Sequence, residues 1–311
     1  MPLPATAHVG VDVAQDSIVV CGPLAATIVT VSNTPTALRR WLAGLPPGVH
    51  LICEATGRHH YALQAACSAA NVPLTCLNPA HARHYARSLG KLEKTDPVDA
   101  ALLRRYGAER HPAATPVPTA AQRQLQDLLM LRHALVGQIS AEQMRSALLT
   151  PVARREVRAT VRVLRSRLRA IERQLENWLE SPAAEPWRDK VYTLCLAVGV
   201  SARSALTLIS CIPELGTCNR RQIAKLAGLA PLPWDSGHSS ATRRIQGGRA
   251  PARRVLYQCA VVAARWHEPT REHYRQLRAR GKPAKLAYVA IARKLLIYLN
   301  SLLRPSEPTA S

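Results

Sequence analysis

The chain has 311 residues, 47% of them apolar, which is enough to fill the cores of two domains. Lysine and arginine number 42 against 20 aspartates and glutamates, giving a formal charge of +22 and a sequence pI near 10.6, the balance of a polyanion binder. No apolar run is long enough to span a bilayer, and Met1 to Gly10 lacks the charged start and apolar stretch of a secretion signal, so a cytoplasmic protein with no membrane partner is expected.

Residues 7–13, 17–22 and 26–31 read as three short strands separated by turn residues, an antiparallel meander. A helix at about 35–44 precedes a strand at 49–53. Then come a helix near 58–71, a strand at 73–77, a helix from Pro79 to Leu89 and a helix from Pro97 to about Tyr106, a mixed α/β pattern. The proline-rich stretch from His111 to Pro118 has no periodicity and reads as an extended linker. From Thr119 to Glu180 the pattern is helical, broken at Thr150-Pro151. Its second segment sets Val157, Val161, Leu164, Leu168, Ile171, Leu175 and Trp178 at spacings of four and three, a coiled-coil seam. An antiparallel helical hairpin is expected there, flanked by Arg154, Arg155, Arg158, Arg162, Arg165, Arg167, Arg169 and Arg173. The seam suits pairing of protomers or packing within one domain. The last third, about 187–304, reads as helical with one long loop, Leu232 to Ser240, rich in hydroxyls.

Charge is unevenly placed. Residues 1–118 hold 10 basic and 7 acidic side chains, whereas residues 119–311 hold 32 and 13. Most of the bases are arginines, whose planar fork grips phosphate oxygens two at a time. The eight cysteines form no C-x-x-C pair and mostly fall in apolar stretches, as buried thiols of a reducing compartment do.

Against this basic background four acids stand out. Asp12 interrupts the apolar run Val9 to Val13, and Glu54 closes the run Val49 to Glu54, so both project from strands. Asp96 and Asp99, with Pro97 between them, share one face at a helix start. Carboxylates so grouped suit a hard divalent cation, Mg²⁺ or Mn²⁺, and phosphoryl-transfer chemistry. The plainer alternative makes Asp96 a helix cap, Asp99 a dipole partner and Glu54 an ordinary strand end. In the basic half, Ser236 beside Gly237 is the best-placed hydroxyl nucleophile, with Ser239 and Ser240 as local competitors. Arg243, Arg244, Gly247, Gly248, Arg249, Arg253 and Arg254 follow as a nucleic-acid-binding stretch, Arg243, Arg244 and Arg249 being candidates to stabilise phosphate charge.

These residues carry a resemblance. Gly10-Val-Asp12, Glu54-Ala-Thr-Gly57, Leu77-Asn-Pro79, the stretch Leu92 to Ala100, Ile212-Pro-Glu-Leu-Gly216, Gln222 to Pro231, Asp235-Ser-Gly237 and Arg243 to Arg249 occur in the order seen in DEDD transposases of the insertion-sequence 110 family. The resemblance covers nearly the whole chain. It implies a RuvC-like domain of RNase H fold (1–112), a helical coiled-coil domain (113–185), a mainly α transposase domain (186–304) and a disordered tail (305–311). It further implies that Asp12, Glu54, Asp96 and Asp99 bind metal and that Ser236 forms a transient phosphoserine link with DNA. The partners implied are donor and target DNA, a structured bridge RNA that pairs with both, and further copies of the chain in a dimer or tetramer. One stretch departs from the family: a Pro-Gly-Val-Gly hairpin is replaced within Cys195 to Val200, where only the second glycine, Gly199, remains. Rival expectations are a RuvC-like endonuclease for branched DNA that uses metal-activated water, and a non-catalytic nucleic-acid-binding protein.

Overall fold

The computed structural model describes residues 7–22, 27–55, 57–90, 95–232, 235–236, 239–240 and 244–304, with backbone alone for 232, 235–236 and 239–240. The expected tail 305–311 and the candidate Arg243 lie outside them. The chain divides into two compact units, Met1–Pro118 and Thr119–Ser311, each with its own core.

The first unit is built on a five-stranded sheet. Its strands are β1 (Ala7–Val13), β2 (Ser17–Cys21), β3 (Ile28–Ser32), β4 (Val49–Glu54) and β5 (Leu74–Leu77), in the order β3-β2-β1-β4-β5. The β1–β2 and β2–β3 pairs are antiparallel, as short turns require, and the β1–β4 and β4–β5 pairs are parallel, joined through helices. The connecting helices are α1 (Pro35–Ala43), α2 (His60–Ala69) and α3 (Pro79–Ser88), and α4 (Asp96–Arg110) follows. Pro35 and Pro79 open α1 and α3, where Thr34 and Asn78 accept capping bonds from the Ala37 and Ala80 amides.

Strand periodicity sorts the side chains between the two faces. Val9, Val11, Val13, Leu51, Cys53 and Leu74 pack with Leu38 and Leu42 of α1 and Leu63 of α2. Ile52 and Leu77 face the other way, against Leu103 of α4. The intervening residues of β1 therefore look toward α4.

The Pro-rich stretch after α4 is not free linker throughout. Thr115 N donates to Leu74 O at 2.8 Å, Thr75 Oγ1 donates to Ala113 O at 2.8 Å, and Cys76 N donates to Thr115 Oγ1 at 2.9 Å. Residues 113–115 thus satisfy the exposed edge of β5, because an unpaired strand edge seeks any extended backbone beside it.

In the second unit, α5 (Ala120–Ser146) and α6 (Pro151–Glu180) fold back as the expected hairpin. Arg154 donates to the Ser146 and Leu149 carbonyls at 3.0 Å each, so this arginine closes the hairpin turn. Glu172 of α6 accepts from Arg132 of α5 and from Arg203 at 2.9 and 2.5 Å. Of the seam, Val161, Leu175 and Trp178 are buried and the others half-buried. The hairpin base, with Leu125, Leu128, Leu175 and Trp178, shares one apolar core with α7 (Glu185–Cys195), α8 (Ala202–Cys211), α9 (Arg220–Leu226), α10 (Ala250–Trp266), α11 (Glu268–Ala279) and α12 (Ala284–Leu302). Gly199, at φ +91°, turns the chain between α7 and α8. Among the described residues no helix is long and apolar enough to cross a membrane.

Candidate active site

Asp12 and Glu54 arrive together because their strands are parallel neighbours. The last paired position is Val11 with Cys53, and the two acids follow it, each one residue further along its own strand. Both have the parity of the face that meets α4. The approach of α4 depends on Gly10. A Cβ there would sit 1.9 Å from Ala100 O and 2.4 Å from Arg104 N, inside the helix backbone. Gly107 makes the reciprocal concession, since a Cβ on it would lie 2.7 Å from His8 and Ile52 side chains. Two missing side chains let α4 lie directly on β1, which brings the start of α4 beside Asp12.

That start differs by one residue from the sequence expectation. Thr95 is the N-cap, Asp96 is the first helical residue, and the Thr95 side chain makes no capping bond. Asp99 sits in the same first turn, its amide bonded to Thr95 O at 2.9 Å. Asp96 is exposed, while Asp12, Glu54 and Asp99 are half-buried.

The electrostatics of Asp12 tie the four acids together. Its carboxyl is raised from 3.8 to about 6, first by burial and then by the negative charges of Asp99, Asp96 and Glu54 in that order, and a hydrogen bond from Val13 N opposes the rise. Carboxylate oxygens are the donors Mg²⁺ or Mn²⁺ takes, and repulsion among four acids is what such a charge relieves, so this donor set fits a hard divalent cation. Among the described residues, however, no three His, Cys, Asp or Glu side chains are arranged to hold one ion. The acids meet as an electrostatic group and not as a closed ligand cage.

In the second unit the described residues of the hydroxyl-rich stretch form a ribbon of two short antiparallel rungs. Its outer rung pairs β6 (Pro231–Leu232) with β9 (Arg244–Ile245), and its inner rung pairs β7 (Asp235–Ser236) with β8 (Ser239–Ser240). Within it Ser236 pairs with Ser239 and Asp235 with Ser240. Sequence reading expected an unpaired loop here. Rungs of two residues are too short to show an alternating pattern.

The base of the ribbon is held tightly. A Cβ on Gly228 would lie 2.3 Å from Gly247 O, and one on Gly248 would lie 2.2 Å from Gly228 N, so two backbones touch where the glycines stand. Arg249 N donates to Leu226 O at 2.8 Å, and Arg253 Nη1 donates to Gly247 O at 2.5 Å. Arg249 also forms a two-pronged ion pair with Glu214, in the turn after α8, with Nη2 to Oε1 at 2.6 Å. The pair holds the Glu214 carboxyl below its ordinary value. Arg249 is therefore engaged inside the protein, whereas Arg244 and Arg254 are exposed. Glu214, Gly10 and Gly107 had no assigned role from sequence, although Gly10 and Glu214 fall within stretches that carry the family resemblance. His133 of α5 is held below its ordinary value by burial and by nearby Arg254 and Arg132, which marks a positively charged surface shared by α5 and α10.

Comparison with known proteins agrees with both halves. Residues 9–151 match the profile of the IS110 DEDD transposases, described as "Transposase", and residues 193–275 match the "Transposase IS116/IS110/IS902 family". The chain is similar to a "Pilin gene-inverting protein" of Moraxella bovis, 26% identical over 264 residues that span 84% of this chain and 81% of that protein. It is also similar to the "Insertion element IS110 uncharacterized 43.6 kDa protein" of Streptomyces coelicolor, 30% identical over 139 residues, 44% of this chain and 33% of the relative. A 42 kDa protein of insertion element IS900 from Mycobacterium paratuberculosis is 37% identical over 86 residues, 27% and 21% of the two chains. The first profile match covers the first unit and runs on through α5, the second lies within the second unit, and the chain belongs to the IS110 family of transposases, enzymes that recombine DNA.

Proposed function

We propose that this transposase exchanges DNA strands through a phosphoserine link formed by Ser236, with Asp12, Glu54, Asp96 and Asp99 as its metal-binding acids. The observation that carries the reading is the convergence of the four acids: Asp12 and Glu54 follow the last paired position of the parallel neighbours β1 and β4, and Asp96 and Asp99 open the helix that lies on β1. Isolated acids capping helices have no reason to share one electrostatic site. The strand order, with two antiparallel and two parallel pairs and α4 against β1, supports an RNase H-like reading of residues 1–112. Residues 113–185 then serve as a coiled-coil spacer and residues 186–304 as the serine-bearing region.

In this reading the Ser236 oxygen attacks a backbone phosphorus, the bond from phosphorus to one deoxyribose oxygen breaks, and the proton lost by the serine hydroxyl is balanced by one gained at the departing deoxyribose hydroxyl. The link keeps the phosphate activated, so a second DNA end can displace the serine without net hydrolysis. A bound Mg²⁺ or Mn²⁺ would supply neutralisation of the charge that develops on phosphate. Among this chain's own residues, Asp12, Glu54, Asp96 and Asp99 would hold that cation, Arg244 and Arg254 attract the DNA backbone, and Arg249 fixes the ribbon base through Glu214. The Arg-rich exposed flank of α6 suits a duplex held by its phosphates, while base pairing with a structured guide RNA would choose the sites. A relative named for inverting a pilin gene fits a recombinase rather than a hydrolytic nuclease. Assembly as a dimer or tetramer is part of the proposal.

The test is Ser236→Ala assayed for strand exchange and DNA binding side by side. Loss of exchange with binding retained supports the reading. Cleavage that continues in the variant would instead favour hydrolysis by activated water.

A further inference from the structure

Three cysteines of the first unit, Cys53, Cys67 and Cys76, lie in or against one apolar cluster on the sheet face that meets α1 and α2, opposite the carboxylates. Cys53 and Cys76 differ from the other thiols in their placement. They are register partners on the adjacent parallel strands β4 and β5, both point to the same face, and the Cys53 thiol donates to the Cys76 sulfur at 3.6 Å. Paired strands run ~4.8 Å apart, inside the Cα separation of about 4.4–6.8 Å that a disulfide spans. Closing from 3.6 Å to a bond of about 2.05 Å needs side-chain rotation with little backbone travel. Cys53 is fully buried, and Cys76 is half-buried, which gives an oxidant one point of entry.

We propose that Cys53 and Cys76 are an oxidation site, a vicinal thiol pair across β4 and β5 that a peroxide converts to a reversible disulfide. The Cys76 sulfur attacks one peroxide oxygen and the O–O bond breaks. One oxygen leaves as water and the other stays as a sulfenic acid. The Cys53 sulfur then attacks the Cys76 sulfur, the S–O bond breaks, and the departing hydroxyl takes the Cys53 proton as a second water. The two sulfurs together lose two electrons, and those electrons reduce the peroxide. A dithiol reductant reverses the change. The crosslink would tie β4 covalently to β5 one residue before Glu54, so the site couples cellular oxidation to the end of β4. Formation of the bond does not depend on the proposed chemistry of Glu54.

The experiment treats the folded full-length protein with hydrogen peroxide, removes the peroxide, denatures the protein in a thiol-blocking reagent, and maps crosslinked peptides without reduction. The expected result is two fewer reactive thiols than the eight of the reduced protein and a peptide pair joining Cys53 to Cys76, restored by reductant. Cys76→Ser should abolish the pair, and Cys67→Ala should leave it in place. Eight thiols still reactive after treatment, sulfonic acid at Cys76 with no crosslink, or a Cys67–Cys76 link as the main product would each overturn the proposal. The mapping of wild-type protein needs no variant, so poor folding of a mutant does not blunt it.

Discussion

Asp12→Asn removes one charge from the four-acid group and keeps the shape of the side chain. The native carboxyl sits near 6 against an ordinary 3.8, a difference worth about 3 kcal/mol at ~1.36 kcal/mol per unit. Asp12 is only half-buried, and solvent screening reduces this to roughly 1–2 kcal/mol. The sign follows from linkage: the native state holds this proton more tightly than the unfolded chain does. Its contribution is fully present below pH 3.8, declines as pH rises, and is gone above about 6. Metal-free Asp12→Asn protein should therefore be more stable than wild type at pH 7.5 by ~1–2 kcal/mol, with the gap closing as pH falls toward 4. Denaturant-dependent hydrogen exchange in EDTA, read on peptides of β1 and α4, isolates the first unit. Adding Mg²⁺ should stabilise wild type more than the variant. A variant that is less stable at pH 7.5, or a gap independent of pH, would refute the electrostatic grouping.

Other perturbations probe the supports. Gly10→Ala forces a methyl into the backbone of α4 and should cost about 1–3 kcal/mol, with loss of strand exchange, in denaturant melts and recombination assays. Glu214→Gln leaves Arg249 without its carboxylate and should weaken the ribbon base. Adduct formation should fall at least tenfold while DNA affinity changes little, and partial rescue by the swapped pair Glu214→Arg with Arg249→Glu would locate the effect in that contact. Replacing exposed Arg158, Arg162 and Arg169 by Gln should flatten the log–log salt dependence of duplex binding by up to about 2.7, at ~0.9 per lost phosphate contact.

Much of this architecture is legible in the sequence because it obeys short periods. The alternation at Val9, Val11 and Val13 and the proline-led helix starts place strands and helices without reference to distant residues. The convergence of Asp12, Glu54 and Asp99 is only half legible. Parity assigns Asp12 and Glu54 to one face, but the meeting of α4 with β1 depends on Gly10 against Ala100, a contact 90 residues apart that no local pattern announces. The same holds for Glu214 with Arg249: the arginine reads as a phosphate ligand until its partner in the turn after α8 is seen. Residues 113–115 look like linker because a backbone-paired edge requires no particular side chains.

The most direct measurement traps the protein on a DNA substrate and identifies by mass spectrometry the side chain bonded to phosphate. The account predicts a nucleotide adduct on Ser236, sharply reduced in Asp12→Asn and absent in Ser236→Ala. Strand exchange at the wild-type rate by Ser236→Ala, or an adduct on Ser239 or Ser240, would contradict it.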